Sequence, residues 1–380
     1  MKSVVLRISL ILFLFYLIGC KQNDSFYNTE IKHSKNLIQY AKGLELYKYS
    51  GFSIVKITNP WPNAKGIFTY ILRGKNGIIP DSLKQFTIIS IPIKSIVVTS
   101  TTHIPALELL GVENTLIGFP NTDYISSEKT RKLIDLRKVR EVGVNENLNT
   151  EVLIDMNPDL IVSFGLNDSN PTLDNLQKSG LKVMLNGDWT EQSPLGKAEW
   201  IKFFGALYGL DAKASTIFSK IEKEYNSTLA LAKKATTKPT VLSGAMYQKI
   251  WYVPQGESWA SLFLKEAQSD YLWAYTKGTG SLAVPFEAVL EKAKNAEFWI
   301  APGDFSSLKE MTDSNTHYKE FGSFKNKKVY SYNLKKGAKG GILYFELSPS
   351  RPDLVLKDLI KIFHPELMPN YKLFFFKKLD

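Results

Sequence analysis

Apolar side chains between residues 195 and 208 fall at three- to four-residue spacing, through Ala198, Ile201, Phe204 and Leu207, and Gly209 stops the run. Asp211 is placed to cap a second helix. Beyond it Ile217, Ile221, Tyr225 and Leu229 recur every four residues, while Lys220, Lys223, Glu224 and Lys233 keep mostly to the other faces. One apolar stripe over about 24 residues predicts a helix roughly 36 Å long, more than one small lobe needs and enough to cross the back of two. The pattern predicts a rigid strut between two lobes, with a long surface helix of one large domain as the alternative.

Both flanks of the strut read as α/β units. Residues 52–58 alternate apolar and polar, residues 59–66 break the pattern with two prolines and a glycine, and alternation resumes over 67–72, which predicts a hairpin. Strands over 96–99, 115–119, 160–164 and 182–185 then alternate with helices over 103–110, 150–156 and 171–179, with Gly111 and Gly180 as stops. After the strut come strands over 240–243, 250–253, 298–301 and 328–332 and helices over 259–267, 286–293 and 354–363. Such alternation predicts parallel sheets covered on both faces. The halves share a phrase, a glutamate opening a short helix before a buried strand: Glu151 with 152–162, and Glu287 with 288–300. Two α/β lobes leave a ligand cleft between them.

Composition adds an address. The 380 residues are 44% hydrophobic and 12% aromatic, enough for a sizeable core in two domains. Lys2 and Arg7 precede a short apolar run, residues 8–18, that suits a secretory leader better than a membrane span. The run ends in Leu17-Ile18-Gly19-Cys20, which resembles a bacterial lipobox, and Cys20 is the one cysteine in the chain. It cannot form an internal disulfide, and it stands where a lipid anchor is attached. Loss of the leader lowers the formal charge from +11 to +9. The basic residues are dispersed among acidic ones, without a basic tract or an aromatic–basic reader motif, which disfavours nucleic acid. The expected division is a leader over 1–20, a tether with a β extension over 21–90, a lobe over 91–193, the interlobe helix region over 194–238 and a second lobe over 239–380.

Several stretches together carry a resemblance: residues 96–103 (Ile-Val-Val-Thr-Ser-Thr-Thr-His) with 109–112 (Leu-Leu-Gly-Val), residues 156–163 (Met-Asn-Pro-Asp-Leu-Ile-Val-Ser), 194–201, 251–256, and 352–360 with His364-Pro365. Over roughly residues 90–366 the chain resembles the substrate-binding lipoproteins of bacterial ABC importers for iron–siderophore complexes, cobalamin and haem. The resemblance implies two Rossmann-like lobes on one long helix that close by a small hinge movement. It implies a metal-chelate ligand, first of all a ferric siderophore, with cobalamin, haem and, as in the related metal-ion binders, a bare metal ion as alternatives. It also implies a monomer tethered at the cell envelope on the periplasmic side, partnered by an inner-membrane permease whose arginines meet Glu151 and Glu287. Both glutamates equally suit the helix dipole as first-turn charges. The extension before residue 90 is longer than the family's lead-in.

Loops after strands line the cleft of such a fold. They place His103, Tyr124 and Trp189 on the first lobe, and Tyr247, Trp251, Trp259 and Lys335 on the second, with Arg351 if it turns inward. Broad aromatic faces with a few charges suit large planar or chelated ligands. The four histidines include no ligand-spaced pair, so neither a resident metal nor a cofactor is expected. For haem or cobalamin, His103 or Tyr247 would meet the metal axially. The sequence lacks GxSxG, HExxH and a phosphate-binding loop, and residues 337–341 (Gly-Ala-Lys-Gly-Gly) read as a flexible loop, so an enzyme is not expected.

Overall fold

The computed structural model describes residues 34–145, 147–167 and 170–380; the leader, Cys20 and the start of the tether lie outside the described residues. Strands β1 (Leu44–Tyr49), β2 (Phe52–Ile57), β3 (Phe68–Arg73) and β4 (Thr87–Ser90) form a sheet in that order, antiparallel except for the parallel β3–β4 pair. Its two faces are both buried. Leu44, Leu46, Val55, Ile57, Tyr70 and Leu72 enter the core of the first lobe, and Phe52, Ile54 and Ile71 pack on Ile79 and Leu83. This is why apolar residues crowd these strands beyond simple alternation.

The first lobe is a parallel sheet, ordered β9-β8-β5-β6-β7, built from β5 (Ile96–Val98), β6 (Leu116–Phe119), β7 (Arg140–Glu141), β8 (Leu160–Ser163) and β9 (Val183–Leu185). Helices α1 (Ile104–Leu110), α2 (Glu128–Asp135), α3 (Thr150–Met156) and α4 (Pro171–Lys178) connect them. Their ends follow local chemistry. Asn149 and Asn170 cap α3 and α4 by accepting from Val152 and Leu173, Pro171 opens α4, and Gly111 ends α1 at φ 70°.

Residues 194–207 are two short helices, α5 (Pro194–Glu199) and α6 (Ile201–Leu207), that meet at Trp200. The strut follows as α7 (Asp211–Ala232), 22 residues or about 33 Å. Its buried residues Ala214, Phe218 and Ile221 belong to the first core, and Tyr225 and Ala232 to the second. Thus one helix is structural filling for both lobes. Phe218 rather than Ile217 is the fully buried member near its start, which turns the stripe by one residue from the expected line.

The second lobe contains β10 (Thr240–Ser243), β11 (Ala245–Tyr247), β12 (Ile250–Pro254), α8 (Trp259–Glu266), β13 (Asp270–Tyr271), β14 (Ser281–Pro285), α9 (Phe286–Ala293), β15 (Phe298–Ile300), α10 (Leu308–Ser314), α11 (Gly322–Lys325), β16 (Val329–Ser331), α12 (Leu343–Leu347), α13 (Pro352–Phe363) and β17 (Lys377–Lys378). Its main sheet runs β13-β10-β15-β16-β17, parallel until the antiparallel β17. A separate antiparallel ribbon, β11-β12-β14, lies beside it. Helix α13 packs along α7, and the Lys357 ammonium meets Glu224 there at 2.7 Å.

Two buried carboxylates fasten the extension to the strut region. Glu199 accepts from the backbone N–H groups of Gln39, Tyr40 and Ala41 at 2.6–3.1 Å and from Lys202 Nζ at 2.6 Å. Glu191 accepts from Lys42 and Gly43 N–H and from Trp200 Nε1 at 2.8–3.2 Å. Replacing Glu199 by alanine leaves a buried run of donors without an acceptor, and stability is expected to fall by about 3 kcal/mol. Urea denaturation of the purified variant checks this, and a midpoint unchanged from the parent is the contrary result.

Candidate functional site

Parallel strands bring their C-terminal ends to one edge of the sheet, and the first lobe's edge faces the second lobe across a cavity of about 300 Å³. Thr99, Ser100 and Thr101 follow β5, Phe119 ends β6 with Pro120 and Tyr124 beyond it, and Phe164 follows β8; Asn145, just past residue 144, adds an amide. The opposite wall is Gly341, Ile342, Phe345 and Glu346, at and just before α12. Tyr124 and Phe345 are 66% and 51% exposed. Large exposed aromatics gathered in a concave site mark a surface built to be covered. Phe345 is braced from behind, its ring 5.0 Å from Tyr332 and 5.6 Å from Tyr344. The cavity is therefore aromatic at its mouth and hydroxyl-lined at one side.

The lobes touch at the cavity's edge. Glu346, 2% exposed, accepts from Ser126 N–H at 2.7 Å and Ser127 N–H at 3.0 Å, at the start of α2. Ser127 caps α2 through its hydroxyl, which also donates to Glu108 of α1, and Thr130 Oγ1 donates to Glu108 at 2.6 Å. Burial pushes the Glu346 carboxyl up to about 7, and the Glu108 charge adds to this, while the two N–H groups pull the other way. Residues 337–341 form a tight turn rather than a flexible loop, with Gly337 N–H donating to Gly341 O at 2.7 Å. A Cβ on Gly337 would stand 2.6 Å from Ser126 Cα. Glycine here is what lets the lobes approach so closely.

The sequence-predicted residues scatter. Tyr124 lines the cavity. Trp251 does not: it is 0% exposed, 5.0 Å ring to ring from Trp299, because β12 turns Trp251 and Val253 inward and Tyr252 outward. His103 is also 0% exposed, packed on Phe204 beneath the cleft loops, so it cannot meet a bound metal. Arg351 turns away from the cleft, held by both oxygens of Asp353 at 2.7–2.8 Å and drawn toward Glu224 of the strut. Lys335 lays its ammonium 3.3 Å over Phe374, against the C-terminal tail rather than the cavity. Trp259 stacks on Tyr344 and stiffens the wall behind Phe345 without lining it. Tyr247 stands exposed on the antiparallel ribbon, and Trp189 spends its N–H on Pro60 O at 3.2 Å. Phe119, Phe164, Phe345 and Glu346 were not among the predicted residues. The strand-then-loop rule that selected Lys335 reaches Phe345 only ten residues later.

The model of the family described as "Periplasmic binding protein" matches residues 96–333, most of the chain. The chain belongs to that family. An uncharacterized lipoprotein of Methanocaldococcus jannaschii is 26% identical over 373 residues, covering 92% of this chain and 87% of its own. A possible iron-binding, periplasmic solute-binding protein from Staphylococcus epidermidis is similar in fold, with a TM-score of 0.55 at 18% identity, over 72% of this chain and 99% of that one. A periplasmic heme binding protein from Pseudomonas aeruginosa gives a TM-score of 0.56 at 17% identity, over 76% of this chain and 98% of that one. The fold is thus that of the two-lobed periplasmic binding proteins. Among the described residues of this family member no group of three or more His, Cys, Asp or Glu is placed to hold a metal ion, and no helix is long and apolar enough to cross a membrane. Glu151 and Glu287 stand exposed in the first turns of α3 and α9, one on each lobe.

A polar cluster lies under the cleft of this binding protein. Asp188 accepts from Thr102 Oγ1 at 2.7 Å and stands 4.0 Å from His103 Nε2, and the buried Lys197 ammonium donates to the Asp188 and Trp189 carbonyls at 3.1 Å. Burial lowers the His103 pKa below the ordinary 6.5, against the opposing pull of Asp188 and of a hydrogen bond with Asn186, so the folded ring is neutral at pH 7 and above. Below about pH 6.5 the unfolded chain takes up a proton that the folded chain refuses, and stability from this group falls as pH falls, by at most about 1.4 kcal/mol per pH unit. His103→Phe removes that loss. The variant is expected to gain stability relative to the parent as pH drops through this range; denaturation curves that stay parallel at every pH would contradict a neutral buried ring.

Proposed function

We propose that this chain is the substrate-binding component of an ABC importer, which captures a metal-chelate nutrient, in the first place a ferric siderophore, and delivers it to a membrane permease. The carrying observation is the aromatic cavity between the lobes, at the C-terminal ends of parallel strands, on a body braced by one helix that serves both cores. About 300 Å³ is at the lower end of small-molecule sites, which run to roughly 1,000 Å³, so a chelate would fill the cavity and show part of itself at the open mouth. A siderophore already satisfies its iron, and a wall of Phe119, Tyr124, Phe164 and Phe345 asks for π-rich or apolar surface rather than for a free coordination site. Haem and cobalamin are the alternatives within the same cleft. Membership of the binding-protein family favours capture without turnover over catalysis. Attachment at the cell envelope through a diacylated Cys20 fits the lipoprotein relative, and the protein acts as a monomer.

Docking on the permease falls to Glu151 and Glu287. Each is an exposed carboxylate on a different lobe, so a pair of arginines at the right separation reads the orientation and closure of the loaded protein. Exposed pairs contribute only about 0–1 kcal/mol each, which suits orientation more than affinity. The double variant Glu151→Ala with Glu287→Ala is expected to abolish uptake in cells and to leave cargo affinity unchanged; lost affinity would sink the docking role. The cargo itself is read by tryptophan fluorescence during titration with ferric siderophores, cobalamin and haem, using the seven tryptophans of the chain. Saturable quenching by a ferric chelate, with the iron-free chelator weaker, is the expected result. Silence across the panel from folded protein would leave the fold without this function.

A further inference from the structure

The cavity wall carries one carboxylate, Glu346, and among its described residues no lysine, arginine or histidine. Basic side chains on the bordering segments lie against other partners, with Lys339 still 55% exposed. Lys336 pairs with Asp304 at 2.6 Å, Lys339 and Arg131 each stand 3.9 Å from Asp123, and Lys335 lies on Phe374. An anionic complex entering this site would bring its charge beside a buried carboxyl with no cation to offset it, in surroundings of low dielectric. We propose that the cleft accepts uncharged or cationic metal complexes and rejects anionic ones, with Glu346 as the residue that sets this preference. The proposal rests on the reading of the chain as a metal-chelate binding protein.

Glu346 is suited to this role by where it sits. Its carboxyl is held near 7 by burial and by Glu108 on α1, with the Ser126 and Ser127 N–H groups at the start of α2 opposing them. Asp123, Lys339 and Arg131 form the next charged group along the same edge, and the neutral His103 precedes α1, against which α12 packs. A cationic complex favours the ionised carboxyl, so binding releases a proton; an anionic one favours the protonated form and takes a proton up. The ionised carboxyl also makes the stronger hydrogen bonds to the Ser126 and Ser127 amides of the opposite lobe. Cargo charge and lobe contact are therefore coupled through one side chain. A cationic complex tightens the contact, and an anionic complex loosens it.

The test uses ferric complexes of different net charge on the full chain and on Glu346→Gln: a neutral trihydroxamate, a monocationic linear trihydroxamate and a trianionic tris-catecholate. Affinities are read by tryptophan quenching and proton release by calorimetry in buffers of different ionisation enthalpy. The neutral and cationic complexes are expected to bind at least about tenfold more tightly than the trianionic one, with the gap narrowed in Glu346→Gln. For the cationic complex, affinity is expected to rise from about pH 6 to about pH 8 with release of a proton, in the unaltered protein alone. This pH series needs no substitution, so it decides the point even where Glu346→Gln folds poorly. Equal or tighter binding of the tris-catecholate overturns the charge preference and leaves the binding function standing. Absence of binding by all three, from folded protein, overturns the charge preference together with the siderophore reading.

Discussion

Buried carboxylates that gather backbone N–H groups from distant parts of the chain hold the joints of this molecule. Glu199 and Glu191 collect the N–H groups of residues 39–43 and so fix the extension to the start of the strut region. Asp358 collects those of Phe374, Phe375 and Phe376, with the Tyr371 hydroxyl, and fixes the C-terminal tail to α13. Glu346 collects two more across the lobe boundary. In each place a stretch of chain without regular pairing is packed against the core, where its donors would otherwise be lost to water without replacement. A carboxylate with several donors answers that cost, since charge-assisted bonds are stronger than neutral ones. The balance differs from site to site. Burial still raises the Asp358 carboxyl in spite of its donors, and raises Glu346 with only two.

The strut makes those joints matter for function. Because α7 contributes Phe218 and Ile221 to one core and Tyr225 and Ala232 to the other, the lobes cannot swing apart at that side without exposing both cores. Freedom remains on the opposite side, where contact at the cavity edge rests on the Glu346 pair of hydrogen bonds and on the close approach of Gly337 and Gly341 to residues 124–126. The cavity mouth between Tyr124 and Phe345 lies on that side. Stiffness on one side and a narrow polar contact on the other is what a two-lobed binding protein needs.

The fold was legible because its signals are periodic. The stripe through Ile221 and Tyr225, the glycine stops at 111 and 180, and the strand–helix alternation are local properties, and local physics fixes them. The helix expected over 195–208 is interrupted at Trp200, where the indole turns to Glu191, a tertiary contact that no window of sequence displays. The site was less legible for the same reason. Phe345 and Glu346 meet Tyr124 and Ser126 across more than two hundred residues, so only the fold brings them together. Alternation along β12 puts Trp251 and Tyr252 on opposite faces without saying which is buried, so the strand pattern alone left Trp251 an even chance of pointing inward. Arg351 and Lys335 were drawn off by Asp353 and Phe374, partners two residues away in one case and at the chain's end in the other.

The base of the cleft contains two ionisable groups whose burial acts in opposite directions on proton uptake. Glu346 is raised from 4.5 to about 7, so folding takes up a proton between those values and stability from it declines as pH rises through them. His103 is lowered from 6.5, so folding gives up a proton below that value and stability from it declines as pH falls. Between roughly pH 4.5 and 6.5 the two slopes oppose each other, because the folded chain keeps on Glu346 the proton that the unfolded chain keeps on His103.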